Sequence, residues 1–157
     1  FLKKNIPRSF KQGPILDRNK RQLGRHEGIL HFTIGQRRGL GIAAPYPLYV
    51  LELKAETNAV IVGKNEELKG KNLIASSLNL IALSEISHPL AVKARIRYKH
   101  REDDALVIPL DENTVRVEFS IPQRAITPGQ SIVFYDGDIV IGGGVIERME
   151  ASSLNYS

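Results

Sequence analysis

The chain has 157 residues, no cysteine, and 22 Lys/Arg against 17 Asp/Glu for a net charge of +5, enough length for one ordinary domain or two small ones without covalent staples. The missing thiols exclude disulfide frameworks, thiolate zinc sites and cysteine nucleophiles from these residues. No stretch approaches the ~20 apolar residues of a membrane span, and no apolar signal-peptide core follows the first charges, so the chain reads as soluble and cytoplasmic.

The sequence opens at Phe1 inside an amphipathic segment, FLKKNIP, and reads as a piece of something longer. Helical candidates are few: Phe1 to Ile6, and a turn near Thr33 to Arg38. Everything else is β-like. Pro47 to Lys54 and Ala59 to Gly63 form a hairpin across a short polar turn at Glu56, Thr57 and Asn58. Six further apolar runs follow: Leu73 to Leu83, Leu90 to Tyr98, Ala105 to Leu110, Thr114 to Phe119, Ser131 to Tyr135 and Ile139 to Ile146. Short strands at such intervals predict a small barrel or sandwich. Asp136-Gly137 supplies a tight turn between the last two, since glycine accepts a positive φ. Glu66 to Asn72 marks a composition shift, giving a basic first part (1–70) and a β-barrel (71–157).

Charge is uneven. Residues 1–38 stand at +8 and the remaining 119 at −3, which points either to a localised anion-facing surface or to a flexible basic arm. Along Ala91 to Lys99 a period of two puts Val92, Ala94, Ile96 and Tyr98 on one face and Lys93, Arg95, Arg97 and Lys99 on the other. Cations repeating at roughly 6.5–7 Å approach the spacing of phosphates along a nucleic-acid strand. They equally suit the wet face of a barrel strand. Tyr98, a core residue in that pattern, would reach a base or sugar from a strand end.

Other segments carry weaker signals. In HEGILHFTIGQRRGLGI, Arg37 and Arg38 stand among glycines that permit close backbone approach, and a guanidinium pair holds phosphate oxygens well. Neither GxxxxGK[ST] nor GxGxxG occurs, so this is no nucleotide cradle by itself. His26 and His31 lack companions for a metal site and read as packing or capping residues. Gln130, in the Thr-Pro-Gly-Gln turn, has an amide suited to a base edge or ribose, or simply to water. Gly142 to Gly144 reads as a bulge or barrel corner. Asp103, Asp104, Asp111 and Glu112 read as solvated turn tips.

Four blocks, LGRHEGILHFTIGQRRGLGI, NAVIVG, KARIRYKH and PQRAITPGQSIVFYDGDIVIGGGVIE, together resemble the C-terminal half of the bacterial tRNA-specific 2-thiouridylase family, in the family's order from about Leu23 to Glu147. The resemblance implies a mainly β chain. A small irregular central domain precedes a six-stranded antiparallel barrel similar to domain II of elongation factor Tu. It also implies a parent enzyme that adenylates the wobble uridine of tRNAs for Lys, Glu and Gln with ATP (and magnesium) in an N-terminal PP-loop domain. That enzyme then transfers sulfur, delivered by a sulfur-relay donor, through two cysteines. No PP-loop sequence and no cysteine is present, so the fragment is expected to hold no catalytic residue, cofactor or metal of its own. Carried over by position, the family's tRNA contacts fall on Arg97, Tyr98 and Gln130. Arg37, Arg38, Lys93, Arg95 and Lys99 stand as secondary tRNA-binding candidates. The rival reading is a translation-factor-like barrel that contacts protein instead of tRNA, with Lys93, Arg95 and Arg97 as ordinary surface residues.

Overall fold

The structure, a computed structural model, describes residues 11–96 and 101–150. The candidate helix Phe1 to Ile6 and the candidate residues Arg97, Tyr98 and Lys99 lie outside the described residues. The chain divides into two compact units, Phe1–Leu68 and Lys69–Ser157.

The first unit is built on a four-stranded mixed sheet. Its strands are β1 (Gly13–Leu16), β2 (Gln22–His26), β3 (Tyr49–Lys54) and β4 (Ala59–Gly63), in the order β2-β1-β4-β3, with β1 and β4 parallel. The β3–β4 hairpin is the one its apolar runs predict. The β1–β2 hairpin is not legible in advance, because β1 is only Gly-Pro-Ile-Leu and β2 carries a central Gly24. Context makes it a strand pair. Ile15 is fully buried with Val50, Val60 and Val62. Asn58, held at φ 55 in the β3–β4 turn, donates its amide to the carbonyls of Lys11 and Gln12 just before β1. His26 is buried: its Nδ1 accepts the Gly28 N–H at 3.0 Å, so its Nε2 carries the proton and donates to the Asn58 carbonyl at 2.8 Å. It is a packing histidine that ties β2 to the same turn.

Between β2 and β3 the chain is irregular but fixed. The Gly35 N–H donates to the Val50 carbonyl at 2.8 Å, and the Val50 N–H to the Gln36 carbonyl at 2.9 Å. The Gln36 side chain closes the loop on itself. Its Oε1 accepts the Thr33 N–H at 3.0 Å and its Nε2 donates to the Arg38 carbonyl at 2.8 Å. Gly35 and Gly39 take φ 92 and 79, values that side-chain-bearing residues rarely adopt. The expected turn is therefore present as a turn, not a helix.

The second unit is a closed antiparallel barrel, the architecture the resemblance implies and one of the two that the strand spacing allows. Its strands are β5 (Lys69–Leu80), β6 (Leu90–Arg95), β7 (Asp103–Pro109), β8 (Val115–Arg124), β9 (Ser131–Asp136) and β10 (Ile139–Glu150), ordered β10-β5-β8-β7-β6-β9. Alternate residues fill the interior: Leu73, Val107, Val115, Val117, Ile132 and Phe134 are fully buried. Gly137, at φ 60, makes the β9–β10 turn. Gly142 to Gly144 sit where β10 slips register against both neighbours. A Cβ on Gly142, Gly143 or Gly144 would strike the carbonyl oxygen of Asn79, Ile132 or Ser76 respectively, so the glycines serve a bulge packed against its neighbours. Asp103 and Asp104 are not turn tips. They begin β7, paired with Ala94 and Lys93, because the sheet continues past the apolar run that marks the strand in the sequence.

Replacing Gln36 with Ala removes both bonds that close the 33–38 loop, which should cost the first unit about 1–2 kcal/mol. Trypsin should then cut after Arg37 and Arg38 faster than in the parent chain; an unchanged cleavage rate would contradict this account of the loop.

Candidate nucleic-acid interface

Barrel closure decides which candidates can act together. β6 and β9 run antiparallel in the register Lys93↔Tyr135, Ala94↔Phe134, Arg95↔Val133. The end of β6 therefore lies beside the start of β9, three residues from Gln130, about 10 Å along a strand. Gln130 is exposed, and its turn is pinned from behind. The Gly129 N–H donates to the Ile146 carbonyl at 2.7 Å and the Ile146 N–H to the Gln130 carbonyl at 2.8 Å. Main-chain bonds thus fix the backbone at Gln130 while its side-chain amide points into solvent at the rim where β6 ends.

The outward cations of β6 are engaged with the barrel itself. Lys93 Nζ lies 3.0 Å from Asp104 on β7, and both side chains are largely exposed. Such a pair is worth about 0–1 kcal/mol and exchanges readily for another anion. Arg95 is held more firmly: it donates to the Tyr135 hydroxyl at 2.6 Å and its guanidinium lies 5.3 Å from the centre of that ring. The predicted alternation holds through Ile96, with Val92, Ala94 and Ile96 buried. At the same rim, buried Gln123 donates to Asp103 at 2.9 Å and to the Ile121 carbonyl at 3.0 Å. Asp103 is thereby a structural acceptor. Arg37 and Arg38 belong to the first unit, exposed at the tip of the Gln36-closed loop.

The two rims of the barrel differ in charge, a feature that reading the chain linearly missed. The connections at the rim away from Gln130 carry Glu85, Asp111, Glu112, Asp136 and Asp138 and no Lys or Arg. The Gln130 rim has exposed Lys69, Lys71, Arg101 and Arg124 together with Glu102, Asp103, Asp104 and Glu150, so it mixes both signs where the other rim is acidic. The signal becomes visible once strands are placed, because alternate connections of an antiparallel barrel fall at the same end. Among the described residues no group of His, Asp or Glu is arranged to hold a metal ion, and no helix is long and apolar enough to cross a membrane. The chemistry this arrangement offers is recognition of a polyanion by donors on one rim.

Comparison with known proteins agrees in extent with the two units. Residues 1–64 match the family described as tRNA methyl transferase PRC-barrel domain, and residues 70–146 the aminomethyltransferase β-barrel domain. The tRNA-specific 2-thiouridylase of Acetivibrio thermocellus is 49% identical over 94% of this chain and 41% of its own length. Those of Halothermothrix orenii and Symbiobacterium thermophilum are each 50% identical over 94% of this chain, and over 41% and 38% of their own lengths. The chain thus spans about two fifths of the relatives it matches. Over both its sheet unit and its barrel, it belongs to the tRNA-specific 2-thiouridylase family.

Proposed function

We propose that this chain is the tRNA-holding part of a tRNA 2-thiouridylase. Its two units, drawn as 1–70 and 71–157, grip a tRNA in the cytoplasm while its wobble uridine becomes 2-thiouridine. Activation of the uridine with ATP and magnesium, and transfer of sulfur from a relay donor, belong in this reading to another part of a longer protein. The tRNAs for Lys, Glu and Gln are the expected substrates. The observation that carries the reading is the near-50% identity to 2-thiouridylases across 94% of the chain. The β-barrel match at 70–146 takes in β6 and Gln130.

The site chemistry supports it. Phosphate contacts set affinity and register while base and ribose contacts set identity. In this reading, Gln130 meets a base edge or ribose, with Arg97 and Tyr98 as further tRNA contacts. Lys93 and Lys99 supply charge that phosphate captures. Arg95 is a positioning residue locked on Tyr135, and Arg37 and Arg38 add cations from the first unit. Holding the anticodon arm by its backbone leaves the wobble base able to leave the stack.

Binding of unmodified tRNA by the 157-residue chain should weaken steeply with salt, since each neutralised phosphate releases counterions. Gln130→Ala should weaken it about tenfold, roughly 1.4 kcal/mol, at fixed salt. Absence of tRNA binding at low salt, or binding without salt dependence, would overturn the proposal. Placed in a full-length enzyme, Arg97→Ala should lower thiolation while leaving ATP binding unchanged; equal loss of both would remove Arg97 from the tRNA site.

A further inference from the structure

The first unit contains a second polar concavity that the rim of the barrel does not use. Its pocket of about 310 Å³ is lined by the β1–β2 turn, the strand-free segment before β3, and the chain after β4. The turn Asp17 to Arg21 carries three cations in four residues, Arg18, Lys20 and Arg21. Its shape is set internally. Asp17 Oδ1 accepts the N–H groups of Asn19 and Arg21 at 2.8 and 2.9 Å, and Lys20 takes φ 67. One oxygen of the Asp17 carboxylate is thus held by its own turn.

The lining also holds an aromatic ring. Tyr46 is 45% exposed, and Lys64 Nζ stands 4.6 Å from the centre of its ring. Glu67, the other carboxylate of the pocket, is also occupied: Oε1 accepts the Lys64 N–H at 2.9 Å and Oε2 lies 3.4 Å from Arg18 Nε. Arg21 and Lys20 are exposed, and neither side chain has a hydrogen-bond or ion-pair partner among the described residues. What remains available is Arg21 and the exposed Tyr46 ring in the lining of a pocket of nucleotide size, with Lys20 on the same fixed turn but outside that lining.

We propose that this pocket is a second RNA-contact site, which takes one nucleotide of a strand with its base against Tyr46 and neighbouring phosphates on Arg21 and Lys20. The chemistry matches single-stranded or splayed RNA, which proteins hold by stacking on aromatic rings within a cationic groove. Cations placed along the turn, outside the pocket as well as within it, fit a continuing backbone better than an isolated nucleotide. The inference rests on the tRNA-holding reading above, and it gives a role to two cations of the +8 leading segment that Gln130, β6, Arg37 and Arg38 leave unused.

The experiment is tRNA binding by the 157-residue chain across a salt series, with three variants at exposed positions. Tyr46→Ala should weaken binding about five- to hundredfold at fixed salt, as removing the platform for one stacked base does, with little change in salt slope. Tyr46→Phe should restore it. The double variant Lys20→Gln, Arg21→Gln should reduce the log–log salt slope by about one for each phosphate that is no longer neutralised. Melting temperatures should stay at the parent value. Parent-like binding and slope in these variants, while Gln130→Ala still weakens binding, would overturn this site alone. No binding by the parent chain would overturn the tRNA reading and this site with it. Adenosine monophosphate binding as tightly as tRNA, in a Tyr46-dependent way, would replace the RNA strand by a free nucleotide and overturn the proposal.

Discussion

The pairing of β6 with β9 closes the barrel, and the rest of the second unit's chemistry depends on that closure. An open sheet would leave two edges of unpaired N–H and C=O groups. Closing it removes the edges and forces every residue to face either the core or solvent. The same pairing sets Tyr135 opposite Lys93 and beside Arg95, and brings the end of β6 beside the turn of Gln130. The site residues are thus positioned by main-chain hydrogen bonds and by a core of Val, Ile and Phe134 that carries no functional group.

Closure also sorts charge. Successive connections alternate between the two ends of an antiparallel barrel, so five carboxylates and no Lys or Arg gather on one rim, while Lys69, Lys71, Arg101 and Arg124 share the other with Glu102, Asp103, Asp104 and Glu150. A barrel segment with a net charge near neutrality can therefore keep one rim acidic and confine its rim cations to the other. Such separation steers an anion toward one end and repels it from the other. Cations locked to neighbours, such as Arg95 on Tyr135, lend shape more than free charge. The exposed Lys93–Asp104 pair is weak enough to yield its lysine to phosphate.

Much of this was legible in the sequence, and the failures have physical causes. The six barrel strands announce themselves because each buries one face against a shared core, which leaves a period of two in the chain. The β1–β2 hairpin does not, because Pro14 and Gly24 dilute the pattern. What holds it, the Asn58 amide and the His26 ring, acts across 32 to 47 residues of sequence. Lys93 and Arg95 could be assigned to the outer face by alternation, yet their partners Asp104 and Tyr135 were invisible, since cross-strand neighbours depend on register. Asp103 and Asp104 looked like turn residues because acids are rare in strands, and only pairing with β6 makes them strand residues. Gln130 was legible as a turn glutamine; that its backbone is pinned to Ile146 while its amide stays free is a property of the folded chain.

The central claim is that RNA meets the barrel at one rim only. Amide hydrogen exchange of the 157-residue chain, with and without unmodified tRNA, tests it most directly. Protection is expected in the connection from Ala125 to Ser131 and around the end of β6. The turns at Leu110–Thr114 and Asp136–Ile139 on the acidic rim should exchange as before. Protection of those acidic turns, with none near Gln130, would contradict the account.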